Sequence, residues 1–313
     1  MQTLLQQITN GLVLGSLYAL IALGYTMVYG LLQLFNFAHG DLFMAGAYAA
    51  LFVISAAGAA SVGVGIALVG VILLAFVASG VGAGALGLAT ERFAYRPIAN
   101  APRIAALISV LGVSIVLENA VMLIAGRRNR TFPHLIPQGK VILAGVQITY
   151  TQIFIIAFSI LLMVALLLFV NRTVFGMSIR AVAENRDAAR LMGVDVFRVI
   201  QLVFLIGPAL GGIAGVMFGM YYGTIFFTMG WTSGIKAFTA AVVGGIGSIQ
   251  GAVLGGLMLG LLESIGAGYL PALSFGLLGS EYRDIFAFVV LIAVLVFKPE
   301  GLLGARVSGK IKA

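Results

Sequence analysis

The chain has 313 residues, of which 61% are hydrophobic and only 9% are charged, and its mean hydropathy is +1.14. No soluble domain of this length needs so much apolar surface, so the composition indicates a polytopic membrane protein. Cysteine is absent and there are two histidines, which excludes disulfides and thiolate metal sites and argues against a histidine metal centre. The net charge of +8 lies mainly in loops, where positive-inside topology and anionic lipids explain it better than nucleic acid does.

Eight apolar segments are candidate membrane spans, since a helix needs about 20 residues to cross the bilayer. The first is too long for the apolar core of a cleavable signal peptide, and no basic residue precedes it, so we read it as a membrane helix. We expect spans at residues 11–34, 41–60, 62–90, 104–126, 151–170, 199–222, 250–268 and 284–298.

The region 226–249 does not fit a simple span, because Lys236 and a glycine cluster interrupt it. This pattern predicts a broken or re-entrant helix, which lipid tolerates only inside protein or beside a water-filled cavity. We therefore expect an all-α, polytopic integral membrane helix bundle of about eight or nine crossings, forming a single domain over residues 1–313.

Basic residues in the loops predict the orientation. Loops 91–103 and 171–198 and the C-terminal tail carry an excess of Arg and Lys, so we expect all three in the cytoplasm. Loop 127–149 is also basic, yet strict alternation places it outside, together with the N-terminus. A cytoplasmic C-terminus then requires that 226–249 contribute a net crossing.

A charged segment, RAVAENRDAARLMGVD, lies between two long apolar segments at residues 180–195. It cannot lie in hydrocarbon, because a charge at the bilayer centre costs roughly 2.5–3.5 kcal/mol even on insertion scales. We expect a helix over 178–193 on the water side, ended by Gly193 in a left-handed conformation, with Asp195 capping the next span. Such a helix suggests a docking site for another protein; the alternative is a solvated connection between spans.

Polar residues near or inside the apolar segments are candidates for a gate or a translocation pathway. Asn36, His39 and Asp41 lie together between the first two spans, where they could equally form a capped helix junction. Glu118 and its neighbour Asn119 fall inside the fourth span, and Glu118 lies about 12 Å into the membrane at 1.5 Å per residue.

Lys236 completes this set of candidates. Glu118 could instead be a structural ion pair or a protonated carboxyl group, and Lys236 is its possible partner. Glu263 lies close to the end of a predicted span, so we expect it at the membrane interface. No phosphate-binding loop, zinc-protease motif or nucleophile motif is present in the sequence, so we expect no cofactor and no ATP hydrolysis in this chain.

Five motifs, in order along the chain, resemble the LivH-type permease of branched-chain amino-acid ABC importers. They are GYTMVYGLLQLFNFAHGDLFMAGAY at 24–48, ERFAYRP at 91–97, KAFTAAVVGGIGSIQGAVLGG at 236–256, EYRD at 281–284 and KPEGLLG at 298–304. The similarity extends over nearly the whole chain, although loop 127–149 carries little of it. The 178–193 helix is similar to the cytoplasmic coupling helix of such permeases, which implies that contact with an ATPase involves Arg180, Glu184, Asn185, Ala188, Ala189 and Gly193.

The resemblance implies a bacterial inner-membrane complex that alternates between outward-open and inward-open states. Its other members would be a second homologous permease subunit, two cytoplasmic ATPase subunits that use the ATP, and a periplasmic solute-binding protein, with membrane lipids around them. The typical cargo is Leu, Ile and Val, and relatives carry other amino acids, amides or urea.

A stand-alone, ion-coupled secondary transporter or channel is the alternative. It would be expected to have an internal inverted repeat and paired intramembrane charges. The sequence contains no convincing repeat and few intramembrane carboxylates. A membrane enzyme is a more distant alternative, because no catalytic constellation is evident.

Overall fold

The computed structural model describes residues 2–58, 66–98, 101–143, 145–273, 279, 282–298 and 300–304. Within this part of the chain, seven helices are long and apolar enough to cross a membrane. The helices are α1 Gln2–Leu32, α2 His39–Ala56, α3 Ile66–Thr90, α4 Arg103–Ala125, α5 Tyr150–Arg172, α6 Val174–Glu184, α7 Arg186–Leu191, α8 Val196–Tyr222, α9 Met229–Gly244, α10 Ile249–Leu273 and α11 Arg283–Phe297.

Two small antiparallel sheets mark one end of the bundle. Strand β1 (Arg130–Thr131) pairs with β4 (Thr224–Ile225), and β2 (Lys140–Leu143) pairs with β3 (Val146–Thr149). The side chain of Gln6 also bonds both the backbone N–H and the C=O of Gln147, at 3.0 Å each. The start of α1, the 127–149 loop and the end of α8 therefore lie at the same end, as alternation of the spans requires.

Helix α1 forms the centre of the bundle and is buried along most of its length. It packs most extensively against α10, antiparallel to it, and the two helices touch through glycines. Gly11 faces Leu261 and Gly15 faces Leu257, so the backbones approach closely, as is common where helices associate in lipid. By contrast, α4 and α5 lie at the periphery, and few of their apolar side chains are buried within the bundle.

The segment expected to be a single helix over 178–193 is two helices, so that prediction was wrong in detail. Helix α6 begins earlier, at Val174, and the break falls at Asn185, whose side-chain oxygen accepts from the amides of Asp187 and Ala188 at 3.0 Å each. Asparagine favours this capping position because it replaces a missing helical hydrogen bond. Gly193 has a φ of 83°, and Asp195 accepts from the amide of Arg198 at 3.2 Å, which confirms the predicted stop and cap.

The expected break in 226–249 is present. Residues 226–228 are not helical, α9 starts at Met229, and α10 follows after a short turn. Other boundaries differ: α1 starts at Gln2 rather than residue 11, and α10 continues to Leu273 rather than 268. Residues 99–100 of the basic loop, Glu281 of EYRD, Pro299 of KPEGLLG and the basic tail residues Arg306, Lys310 and Lys312 lie outside the described residues.

Candidate functional site

Two helices, α2 and α9, begin inside the bundle, and their first turns pack against each other. Gly40 in the first turn of α2 lies against Gly230 and Gly234 of α9, so closely that a methyl group on Gly40 would be nearer than 3.0 Å to the Gly230 carbonyl oxygen. The His39 ring lies beside Gly24 of α1. Since Gly24 is eight residues from the end of α1, the contact lies about 12 Å inside that end.

Asp41 lies at this junction and is almost completely buried, with 1% of its surface exposed. The Ser114 hydroxyl of α4 donates to its Oδ2 atom, while Oδ1 lies beside Gly230 and has no hydrogen-bond partner among the described residues. The first turn of a helix carries a partial positive charge, so the start of α9 is an electrostatically favourable place for this carboxylate.

Asn36 and His39 are also buried here, and neither side chain has a hydrogen-bond partner among the described residues. The Tyr25 ring packs against the His39 ring at a centroid distance of 4.7 Å. We call Asn36, His39 and Asp41 the helix-start cluster. The structure places all three within the subunit rather than on its surface, and their role in a gate or pathway stays a prediction.

The two predicted residues of α4 differ in their surroundings. Glu118 is half-buried and lies one turn beyond Ser114, whose hydroxyl bonds Asp41. Asn119 is exposed, and its side-chain amide donates to the Ile115 carbonyl of its own helix at 2.7 Å. Glu118 therefore borders the helix-start cluster, whereas Asn119 faces outward.

Lys236 belongs to a second polar group, which we call the charge cluster: Tyr18, Lys236, Glu263 and Asp284. The Lys236 ammonium donates to Glu263 Oε1 at 2.8 Å and forms an ion pair with Asp284, with 2.7 Å between Nζ and Oδ1. The Tyr18 hydroxyl donates to Glu263 Oε2 at 2.8 Å. These residues come from α9, α10, α11 and α1, so the charge cluster joins four helices.

The charge cluster corrects two expectations. The structure pairs Lys236 with Glu263 and Asp284 rather than with Glu118. Glu263 is not interfacial but fully buried, with 0% of its surface exposed. The cause is the length of α10, which places Glu263 in the middle of the helix rather than near its end. The rule that an intramembrane acid is a functional candidate would have identified it, had it been applied to Glu263 as to Glu118.

The predicted coupling residues lie on or beside α6 and α7. Ala189 is buried, whereas Arg180, Glu184, Ala188 and Gly193 are exposed. The Arg180 guanidinium donates to the Val170 carbonyl at the end of α5. These contacts attach the α6–α7 unit to the bundle while leaving one face free.

Three further side chains of this unit were not predicted. Leu191 and Met192 are 89% and 83% exposed, an unusual position for apolar residues outside a membrane span. Arg186 of α7 donates to the Leu31 carbonyl in the last turn of α1. Exposed apolar residues indicate a surface for a partner, and Arg186 connects that surface to the central helix.

Comparison with known proteins places these features in a family. The family model described as "Branched-chain amino acid transport system / permease component" matches residues 7–295. The permease protein BraD of the high-affinity branched-chain amino acid transport system of Pseudomonas aeruginosa is 45% identical over 310 residues, covering 96% of this chain and 95% of that protein. The corresponding LivH protein of Escherichia coli K12 is 43% identical over 305 residues, with the same coverage.

More distant proteins also match. A probable branched-chain amino acid transport permease protein LivH of Methanocaldococcus jannaschii is 28% identical, covering 94% of this chain and 91% of that protein. The solved structure of PsaBC from Streptococcus pneumoniae in complex with Fab has a TM-score of 0.45 and 12% identity, covering 96% of this chain and 93% of that chain. That similarity is too low to support a conclusion. The relatives named as permeases are transport components rather than enzymes.

Proposed function

The chain belongs to the family of branched-chain amino acid transport permease components, and we propose that it is the membrane-spanning subunit of an ATP-driven importer of branched-chain amino acids. The family match over residues 7–295 is the observation that carries this proposal. The importer would also contain a second homologous permease, two cytoplasmic ATPase subunits and a periplasmic solute-binding protein. ATP would be used only by the ATPase subunits, and this chain would need no cofactor.

The contacts of α6 and α7 support a route by which ATP hydrolysis could move the bundle. A force on α7 would reach α1 through the bond from Arg186 to the Leu31 carbonyl. Helix α1 carries Tyr25, whose ring packs on His39 in the helix-start cluster. Movement of the coupling helices would thus reach the place where α2 and α9 meet, and alternating access would follow from rearrangement there.

Gly193 allows a sharp test of this coupling role. Its φ of 83° suits glycine and, less well, asparagine, whereas an added Cβ would meet nothing within 4 Å. Gly193→Val should therefore strain only the backbone, by about 1–2 kcal/mol, while Gly193→Asn is the matched variant that tolerates this conformation.

In cells that contain the complete importer, we expect Gly193→Val to lose most leucine uptake and ATPase coupling while the protein still inserts in the membrane. Gly193→Asn should keep most uptake. Full uptake by the valine variant would contradict the coupling role of this segment.

The charge cluster supports a second candidate, an ion-coupled secondary transporter. Broken helices and paired charges inside the membrane are typical of such carriers. The purified chain in liposomes separates the two functions. Accumulation of leucine driven by a proton or sodium gradient, without a partner subunit, would favour the carrier; a requirement for ATPase and solute-binding subunits would favour the importer.

A further inference from the structure

A cavity of about 490 Å³ lies between α7 and the ends of α1, α3, α4 and α8. Three arginine side chains line it: Arg96, which follows α3, and Arg186 and Arg190 of α7. Its other walls are largely apolar and include Leu32, Phe197 and Ile200. The cavity therefore has one cationic side and one apolar side.

Positive charge in the cavity exceeds negative charge. Glu91 is the one acid among the described lining residues, so three guanidinium groups face one carboxylate. Arg186 and Arg190 are four residues apart on one helix, where like charges destabilise each other. Burial lowers the pKa of Arg186, and the neighbouring Arg190 lowers it further. An anion between these side chains would relieve the repulsion.

The acid outside the cavity does little to neutralise it. Asp187 pairs with Arg190 at 3.6 Å, but the two side chains are 89% and 54% exposed. Exposed pairs of this kind contribute little, because water screens them. Arg190 thus remains available to a second anionic partner on its other side.

The two faces of α7 differ, which bears on the identity of that anion. Asp187, Ala188 and Leu191 are exposed on one face, and Ala188 is one of the residues predicted to contact the ATPase. Arg186 and Arg190 lie on the opposite side, towards the ends of the membrane helices. Phe93 and Ile104, close in sequence to residues that line the cavity, are 75% and 68% exposed, as expected of side chains in contact with lipid. The cavity therefore lies at the ends of the membrane helices, where lipid headgroups are expected, and on the side of α7 away from Ala188.

We propose that this cavity binds the phosphate group of an anionic phospholipid from the adjacent leaflet. Arg96, Arg186 and Arg190 would surround the phosphate, since the guanidinium fork matches phosphate geometry. Phe197 and Ile200 would contact the glycerol and the upper acyl chains. Basic pockets between membrane helices commonly hold lipid headgroups in this way. A lipid bound there would support α7 from behind, and so stabilise the coupling surface.

A tryptophan introduced into the cavity wall would make lipid binding measurable by fluorescence quenching. The sequence has one tryptophan, Trp231, so the full-length chain with Trp231→Phe and Phe197→Trp carries a single reporter. Tryptophan retains the ring over which Arg96 lies, at 5.3 Å from the centroid in the native protein. Brominated phosphatidylglycerol and brominated phosphatidylcholine, titrated in mixed micelles, would quench this reporter where they bind.

We expect phosphatidylglycerol to bind at the reporter more tightly than phosphatidylcholine, and Arg190→Gln to reduce that preference by about fivefold, the ratio for one basic residue near an anionic lipid. Arg96→Gln, on a different element, should act similarly and is a second variant should the first not fold. Arg198→Gln is the matched control, because Arg198 is 85% exposed, pairs with Asp195 and does not line the cavity.

Three outcomes would overturn the proposal. Equal quenching by the two lipids in the native cavity would show that it does not select an anionic headgroup. A preference that survives both Arg190→Gln and Arg96→Gln would place the lipid elsewhere. Displacement of phosphatidylglycerol by millimolar inorganic phosphate would assign the cavity to free phosphate rather than lipid.

Discussion

The charge cluster and the helix-start cluster both place polar residues in the interior of an apolar bundle, but they satisfy them differently. In the charge cluster, the Lys236 ammonium forms ion pairs with two carboxylates, and both oxygens of Glu263 accept hydrogen bonds, one from Lys236 and one from Tyr18. In the helix-start cluster, the side chains of Asn36 and His39 and one oxygen of Asp41 have no partner among the described residues.

This difference has an energetic meaning. A buried, hydrogen-bonded ion pair such as Lys236 and Glu263 holds its helices in one arrangement, because losing either partner leaves an uncompensated charge. A buried polar atom without a partner costs free energy, so arrangements that bring it a partner are comparatively favoured. The comparison predicts that the charge cluster maintains the fold, whereas the helix-start cluster lies where the bundle changes during transport.

The largest expected effect comes from removing the central cation of the charge cluster. Lys236→Met leaves Glu263 buried and charged, and breaking a buried pair in this way costs about 3–5 kcal/mol. We expect a large fall in the amount of folded protein and in its free energy of unfolding in detergent. Lys140→Met is the control, because Lys140 lies in an exposed hairpin and bonds Gln147.

A second substitution distinguishes charge from packing at this position. The single variant leaves the buried Glu263 carboxylate without its cation. The double variant Lys236→Met with Glu263→Gln also removes that unpaired charge, so it should regain much of the lost stability. If the double variant is as unstable as Lys236→Met, the charge cluster does not act through charge pairing, and the contrast with the helix-start cluster fails.

A smaller effect is expected where α2 meets α9. Gly40→Ala would bring a methyl group too near the Gly230 carbonyl, and overpacking of this kind costs about 1–3 kcal/mol. Gly70→Ala and Gly112→Ala are matched controls, since an added Cβ there meets nothing within 4 Å. Thermal unfolding in detergent should separate Gly40→Ala from both controls. Equal unfolding midpoints for all three variants would show that the junction accommodates the added methyl group without loss of stability.

Much of this arrangement could be predicted from the sequence, because hydrophobicity and loop charge depend on local composition. The spans, the break near Lys236 and the stop at Gly193 follow from runs of apolar residues and from single glycines. The break at Asn185 was also within reach, since asparagine before Arg-Asp-Ala is a capping pattern. Charge and periodicity nevertheless favoured one continuous helix.

The pairing of Lys236 could not be predicted in this way. It depends on how α9, α10 and α11 lie together, and no local pattern in the sequence reports that arrangement. A weaker signal was overlooked at the two helix starts: Phe37-Ala-His-Gly40 and Phe227-Thr-Met-Gly230 share a phenylalanine three residues before a glycine. The structure brings these two glycines into contact, which gives the shared pattern a physical reason.

The smallest effect on stability, but a clear effect on transport, is expected from Asp41→Asn. Asparagine has the shape of aspartate and can still accept the hydrogen bond from Ser114, so the free energy of unfolding should change by about 1 kcal/mol or less. The carboxylate at the start of α9 would be lost, however, and with it an electrostatic contribution to whichever arrangement of α2 and α9 it favours. Asp195→Asn is the control for removing one acid, because Asp195 lies in an exposed pair with Arg198 and asparagine can still cap α8. Leucine uptake per folded importer should fall about tenfold for Asp41→Asn, which corresponds to a shift of about 1.4 kcal/mol between states. Unchanged uptake with unchanged stability would make the helix-start cluster a structural junction, no different in role from the charge cluster.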